Sequence, residues 1–434
     1  MTRRATFIWL AALTIAAAAF LSSGLGTARA QKTSLKMLFW TFQPQTVQGF
    51  IDEFMKRNPD ITVELDGAPS AEYNAKASVM LRSGAPFDVM YIRDSTLSQW
   101  AENGWVHPID ACPGVDAVKK DMLPLALQSQ SYKGKLYSLT YYTGVLPIIV
   151  NTKMMKEAGF ISAPRTFQGW MEQAKAVKAK GLAEYPMVWP IKPAGWGSMY
   201  VWATMAAAKG GKLFDDKLEV TPVGLEVLKW WRQTFDEKLS NPANIEWDNA
   251  DAANVFSEGK GYMQWTMQHY AAHQYANSDK SKVKGQVALV EPPETGATVG
   301  FAAGYGINAA SKNKEAACKL VTFLGGKDEK GSYLTPKAWV ELGALTWGQR
   351  GVEKDPAVRK SLASWGADAD KLASYLEKAV HLKEVVPYQE LWYFEWQEQA
   401  DKQLQEVLAG RMSPEDATKA MSANAKRLAA RYKR

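Results

Sequence analysis

The chain has 434 residues, with 52 basic and 45 acidic side chains and a formal net charge of +7. The basic residues are spread along the chain and form no block, which argues for solubility and against nucleic-acid binding. At about 150 residues per domain, this length predicts two or three domains. The 17 tryptophans and 17 tyrosines are more than core packing usually needs.

The first thirty residues have the three parts of a secretory signal peptide. Arg3 and Arg4 supply positive charge, an apolar run follows over residues 7–21, and residues 28–30 form a small-x-small cleavage pattern. The alternative is a transmembrane anchor, which needs about 20 apolar residues, and this run is shorter. We therefore expect a mature chain that begins at Gln31.

The mature chain should reside in the periplasm of a Gram-negative bacterium. Loss of three arginines with the signal peptide leaves a net charge of +4, and no cysteine lies near the cleavage site for lipid attachment. Cys112 and Cys318 are the only cysteines. They can pair in an oxidising compartment, but their large sequence separation leaves two free buried thiols as the open alternative.

Strand and helix patterns alternate along the chain. The first part predicts strands at 35–40, 61–65 and 88–92 with helices at 47–57 and 73–82 between them. This order is typical of an α/β lobe with a parallel sheet. The pattern continues for longer than one lobe needs, with strands at 146–150 and 300–308, helices at 171–180, 223–235 and 315–324, and a mostly helical end from residue 363.

Six groups of short motifs follow one another in a fixed order. They occupy residues 58–63, 87–110, 132–167, 256–263, 306–315 and 408–417, and the most specific is Tyr132-Lys133-Gly134-Lys135-Leu136-Tyr137 followed by Asn151 and by Ala158-Gly159. In this order they resemble the family of extracellular solute-binding proteins typified by maltose-binding protein. Thr140, Val150 and Thr152 depart from the family pattern and alter local packing only.

The resemblance implies a two-lobed α/β periplasmic-binding-protein fold. Each lobe would hold a mostly parallel sheet flanked by helices, with three chain crossings near residues 142–145, 300–304 and 340–345 and a helical C-terminus. The implied lobes are 31–143 with 303–342, and 144–302 with 343–434. The implied function is a monomeric substrate-binding subunit of an ABC importer, without cofactor or metal, which closes on a carbohydrate and delivers it to membrane permease subunits.

A sugar site combines aromatic rings for the apolar sugar face with polar groups for the hydroxyls, because unpaired buried polar groups are costly. Such residues belong on loops at strand ends. The candidates that meet this rule or match family positions are Trp40, Gln43, Arg93, Asp94, Ser95, Tyr142, Thr143, Gly144, Trp196, Trp265, Gly304, Tyr305, Arg350 and Trp392.

Structural roles remain open for several candidates. For Asp94, the alternative to ligand contact is a structural ion pair with Arg93. For Trp40, Trp265 and Trp392, it is packing in the hydrophobic core. Arg350 has a solvated surface position as its alternative.

Two other functions have to be weighed. A secreted carbohydrate-active enzyme would need paired carboxylates, and the chain has many, but G-x-S-x-G, H-E-x-x-H and C-x-x-C are absent and the four histidines form no strong constellation. A binder of an anionic sugar derivative or a polyol is compatible with Arg93, Arg350 and the positive charge. The sequence does not select the ligand or its length.

Overall fold

The computed structural model of the protein describes residues 32–193, 197–265 and 270–433. The expected signal peptide, residues 1–30, and the candidate Trp196 lie outside these ranges. Within them, no helix is both long and apolar enough to cross a bilayer. The predicted two-lobed α/β fold is confirmed, but both sheets mix parallel and antiparallel strands, so the expectation of mostly parallel sheets was wrong in this detail.

The larger sheet forms the first lobe. Its strands run in the order β13-β12-β3-β1-β2, and β4 and β7 also pair with β12. β1 is parallel to β2 and β3, whereas β12 is antiparallel to β3 and β7. The strands of this sheet are β1 (Thr33–Trp40), β2 (Ile61–Ala68), β3 (Val89–Arg93), β4 (Val106–His107), β7 (Ser138–Val145), β12 (Val299–Asn308) and β13 (Val380–His381).

A four-stranded sheet forms the second lobe, in the order β11-β8-β10-β9. Only the β10–β9 pair is parallel, because β8 enters from the first lobe and runs against both of its neighbours. Its strands are β8 (Ile148–Asn151), β9 (Met187–Val188), β10 (Met263–Trp265) and β11 (Val287–Val290). A separate hairpin on the first lobe consists of β5 (Ser131–Tyr132) and β6 (Lys135–Leu136).

Helices cover both sheets. Those before residue 160 are α1 (Pro44–Arg57), α2 (Ser70–Ser83), α3 (Asp94–Glu102), α4 (Val115–Asp121), α5 (Pro124–Gln130) and α6 (Thr152–Glu157). The next are α7 (Phe167–Ala179), α8 (Ser198–Ala208), α9 (Pro222–Asp236), α10 (Asn249–Ser257) and α11 (Tyr270–Asn277). The last are α12 (Lys314–Gly325), α13 (Leu334–Gly343), α14 (Pro356–Ser364), α15 (Ala369–Lys378), α16 (Tyr393–Leu408) and α17 (Pro414–Tyr432). Short 3₁₀ turns lie at Pro242–Glu246, Val352–Lys354 and Leu382–Glu384.

The hydrophobic clusters show where the chain passes between lobes. Val145 packs in the first cluster and Leu146 in the second, and the chain returns between Phe301 and Ala303. The third crossing was expected near 340–345, but residues 344–379 contribute to the first cluster and residues 382–428 to the second. The packing of residues 344–379 with the first cluster favours a third crossing at 379–382 over the expected one near 340–345.

Most tryptophans are core residues. Eleven of the 17 are among the largest fully buried side chains, including Trp265 and Trp392. The expected aromatic surplus is thus largely absorbed by packing, with a cluster of indole rings in the second lobe around Trp189. The two cysteines form a disulfide with a Cα–Cα distance of 5.4 Å, which resolves the alternative that the sequence left open.

Candidate functional site

The ends of β1 and β3 lie side by side in the first lobe because both strands are parallel and share a register at Leu38 and Met90. This places the guanidinium carbon of Arg93 4.8 Å from the centre of the Trp40 ring. Arg93 also donates hydrogen bonds to the hydroxyl and the backbone oxygen of Ser70, at the start of α2. A cation over an indole face is worth about 0.5–2 kcal/mol, so Arg93 is held in place and covers that face of Trp40.

Asp94 begins α3 directly after β3, and its carboxylate is buried. Its Oδ2 lies 2.9 Å from Nε2 of His381, and its Oδ1 accepts a hydrogen bond from the backbone N–H of Ser95. The side chains of Asp94 and His381 are 1% and 0% exposed. Nδ1 of His381 accepts a hydrogen bond from the backbone of Lys383, so a neutral imidazole carries its proton on Nε2 and donates it towards Asp94. The partner of Asp94 is therefore His381 on the third crossing and not Arg93.

Two tyrosines of the second lobe meet this part of the first lobe. The Tyr200 hydroxyl donates to the Tyr388 hydroxyl at 3.2 Å, and Tyr388 lies near Ser95 at the start of α3. Burial, with the nearby charge of Asp94, raises the pKa of both hydroxyls well above the usual value for tyrosine. Both phenols thus stay protonated at neutral pH and remain hydrogen-bond donors at the boundary between the lobes.

The first crossing contributes three residues to this region: the half-buried Tyr142, followed by Thr143 and Gly144. The Tyr142 ring lies 6.5 Å from Trp40 and 6.0 Å from Phe301, edge to face in both cases. Thr143 is buried, and its hydroxyl donates to the backbone oxygen of Trp347. A Cβ on Gly144 would lie 2.1 Å from the Phe301 ring, so a larger residue at this crossing would force that ring to move.

The structure brings Trp40, Arg93, Asp94, Ser95, Tyr142, Thr143 and Gly144 to one region, which we call the strand-end site, together with Tyr200, His381 and Tyr388. Gln43 lies at its edge, in the left-handed region at a φ of 49°, and donates to the backbone oxygen of Leu342.

The remaining candidates have structural roles in the described part of the chain. Trp265 and Trp392 are buried in the second-lobe core, which favours the packing alternative for both. Gly304 and Tyr305 lie within β12 beside the strand-end site, since Gly304 pairs with Ile92, the neighbour of Arg93. Tyr305 is a core residue there and accepts a hydrogen bond from Nε1 of Trp339. Arg350 forms a two-bond ion pair with Glu377 and also donates to the backbone oxygen of Met122, which favours a structural role.

Sequence reasoning missed Tyr200, His381 and Tyr388. Tyr200 follows the glycine-rich segment around Trp196 by four residues, and this proximity was the available signal. His381 carries no local signal, because its partner Asp94 is 287 residues away in the chain. Tyr388 likewise becomes a site residue only through the packing of the two lobes.

A separate cavity of about 820 Å³ opens where both lobes meet near α15. It is lined by residues 162–165 and 288–296 of the second lobe and by residues 366–378 of the first, and none of the candidate residues borders it. An ion pair of 3.1 Å between Lys378 and Glu291 joins the two sides. Charges of both signs are balanced along its wall, so this cavity has no clear preference for a charged ligand.

The chemistry of the strand-end site is that of hydrogen bonding and ring contact. It combines phenol, imidazole and guanidinium donors with one carboxylate and the partly exposed ring of Tyr142, whereas the Trp40 ring is buried. Across 32–193, 197–265 and 270–433, no group of three or more His, Cys, Asp or Glu residues is arranged to hold a metal ion.

A sequence model of bacterial extracellular solute-binding proteins matches residues 42–331. The maltotriose-binding protein of Pyrococcus abyssi is 28% identical over 197 residues, which are 44% of this chain and 40% of that protein. The mannitol-binding protein of Pseudomonas aeruginosa is 25% identical over 253 residues, covering 55% of this chain and 56% of that protein. The matched stretches thus span about half the length of these curated relatives.

Solved structures share the fold over most of the chain. The sugar-binding protein MalE from Xanthomonas citri superposes with a TM-score of 0.79 at 16% identity, covering 92% of this chain and 98% of that one. An ABC transporter solute-binding protein from Agrobacterium vitis with bound D-mannitol gives a TM-score of 0.71 at 21% identity, covering 92% and 99%. At these identities the likeness concerns the fold alone.

Proposed function

This chain belongs to the family of bacterial extracellular solute-binding proteins, and from that premise we propose that it captures a carbohydrate between its lobes for an ABC importer. The family is exported or periplasmic, and we place this protein in the periplasm after removal of the signal peptide. The proposed partners are the transmembrane permease subunits, and the proposed active form is a monomer that binds its ligand without converting it.

The observation that carries the proposal is the meeting of both lobes at the strand-end site. Arg93, Asp94 and Ser95 come from the first lobe, and Tyr200 and Tyr388 come from the second. A hydroxylated ligand needs several donors and acceptors at once, because each buried polar group left unpaired costs about 1–3 kcal/mol. The hydrogen-bond donors of this site lie on two lobes that are joined by three chain crossings. This arrangement supports ligand binding that is coupled to closure of the lobes.

Closure follows from the position of the contacts. A ligand that touches both lobes is bound more tightly when the lobes meet, so it shifts the population towards the closed form by its difference in affinity. The crossings at 145–146, 301–303 and 379–382 are the points about which the lobes would rotate. The closed form would then present both lobe surfaces to the permease.

The relatives support the ligand class. One is described as binding maltotriose and another as binding mannitol, so a neutral sugar is the first proposal and a polyol the second. The half-buried guanidinium of Arg93 keeps an anionic sugar derivative as a further alternative within the same function.

The test is a thermal-shift screen of the purified protein against sugars, polyols and sugar acids, followed by calorimetry on each hit. We expect a saturable rise in melting temperature with no change in the ligand, because binding to the folded state stabilises it. Small-angle scattering should show a smaller radius of gyration with the ligand. Turnover of the ligand, or the absence of any hit, would contradict the proposal.

The location of the site is tested by substitution. Arg93→Ala should weaken binding at least tenfold, whereas Arg82→Ala, at the exposed end of α2, should leave affinity unchanged. Equal affinities for both variants would mean that the ligand binds elsewhere, as at the cavity beside α15.

A further inference from the structure

Asp401 is a buried carboxylate that belongs to α16, in the core of the second lobe. It is 4% exposed, and burial raises its pKa. A buried carboxylate is costly unless it is hydrogen-bonded. The hydrogen-bond partners of the Asp401 carboxylate therefore indicate its role in the fold.

Two of these partners are the first two residues of α8, and the third is Gln397 of α16 itself, whose amide donates to Oδ2 at 3.4 Å. Oδ1 of Asp401 accepts hydrogen bonds from the Ser198 hydroxyl at 2.7 Å and from the Met199 backbone N–H at 3.1 Å. The residue that precedes the helix, Gly197, has no side chain with which to cap it. The first N–H groups of a helix need acceptors, and a negative charge is favoured at that end. Asp401, about 200 residues further along the chain, supplies both the acceptor and the negative charge.

The start of α8 leads directly to the strand-end site. Tyr200 is the third residue of the helix, its hydroxyl bonds Tyr388, and it lies near enough to Asp94 for that charge to raise its pKa. The backbone before the helix is tightly packed, since a Cβ on Gly197 would lie 2.3 Å from the Lys192 oxygen. A shift at the start of α8 would therefore displace Tyr200 relative to the first lobe.

We propose that Asp401 is a positioning residue for solute binding. It holds the N-terminus of α8 and so fixes the Tyr200 hydroxyl opposite Asp94 and Ser95, without touching the ligand itself. This inference rests on the proposed function. It also assigns a role to a buried charge for which the packing of the second lobe alone gives no reason.

The experiment compares Asp401→Ala with Asp401→Asn. The alanine variant loses both hydrogen bonds to α8, and its dissociation constant for the best ligand of the screen should rise at least tenfold. The asparagine side chain keeps an oxygen that can accept from Ser198 and Met199, so the affinity of this variant should stay within about threefold of wild type. Ser198→Ala, which removes one of the two bonds, should give an intermediate loss even if Asp401→Ala does not fold.

Thr234→Ala is the matched control. Thr234 is a fully buried second-lobe residue whose hydroxyl bonds Trp231 and Ser240, so the variant should lower the melting temperature without changing affinity. Unchanged affinity in Asp401→Ala and Ser198→Ala, or an affinity loss in Thr234→Ala as large as in Asp401→Ala, would overturn the inference. A wild-type protein that binds no solute would instead contradict the proposed function.

Discussion

Nε2 of His381 lies 2.9 Å from Oδ2 of Asp94, and this contact fastens the third chain crossing to the end of β3. Both side chains are buried. The pair joins a residue of the strand-end site to a segment that links the lobes. Under the proposed function, ligand binding and lobe movement would therefore both act on this hydrogen bond.

His381→Ala should lower the free energy of unfolding by about 3 kcal/mol, because it leaves a buried carboxylate without its partner. His381→Gln, whose amide can still donate to Asp94, should lose less. Chemical denaturation of His381→Ala, Asp94→Asn and the double variant, combined with wild type in a double-mutant cycle, measures the coupling. A coupling energy near zero would show that the two side chains act independently.

The disulfide between Cys112 and Cys318 should stabilise the first lobe. It closes a separation of 206 residues, and removing a disulfide typically costs about 2–5 kcal/mol. The double variant Cys112→Ser/Cys318→Ser should therefore unfold at lower denaturant concentration than wild type and be insensitive to reductant. Ligand affinity should be retained, since neither cysteine borders the strand-end site. Wild-type protein that unfolds identically with and without reductant would contradict this prediction.

Gly144→Ala should destabilise the protein and impair binding, because the added Cβ would lie 2.1 Å from the Phe301 ring at a crossing between the lobes. Overpacking of this kind costs about 1–3 kcal/mol. Gly49→Ala in α1 is the control, since nothing lies within 4 Å of the added Cβ, and alanine in a helix is favoured over glycine by about 0.5–1 kcal/mol. The melting temperature should fall for Gly144→Ala and rise for Gly49→Ala. A fall for both variants would mean that the loss at Gly144 does not arise from tight packing at the crossing.

The stability of the Asp401→Asn variant relative to wild type should depend on pH. Burial raises the pKa of Asp401 in the folded state, so this group favours folding below its unfolded pKa and loses that contribution as pH rises through the folded pKa. Asparagine does not titrate, and the variant should gain on wild type as the pH increases from the acidic range towards neutral. Thermal unfolding across this range measures the difference. A constant difference at every pH would show that Asp401 does not change its protonation state on folding.

The regular elements were accessible from the sequence because their patterns are local. The alternation in residues 61–65 and the helical spacing from Val47 to Phe54 depend only on neighbours along the chain, and both elements appear where they were expected. Trp40, Arg93 and Asp94 were selected because they end strands and match positions where the family has cleft residues, and the parallel pairing of β1 with β3 brings them together.

The partners of these residues were decided by tertiary structure. Asp94 pairs with His381 across 287 residues, Asp401 caps a helix about 200 residues before it, and the two cysteines join across 206. No periodicity in the chain encodes such contacts, since they depend on how two lobes and three crossings pack. The sequence by itself therefore determined the family, the two α/β lobes and the edge where polar and aromatic residues gather. Burial, which separates a core tryptophan such as Trp265 from a partly exposed ring such as Tyr142, is a property of the folded chain alone.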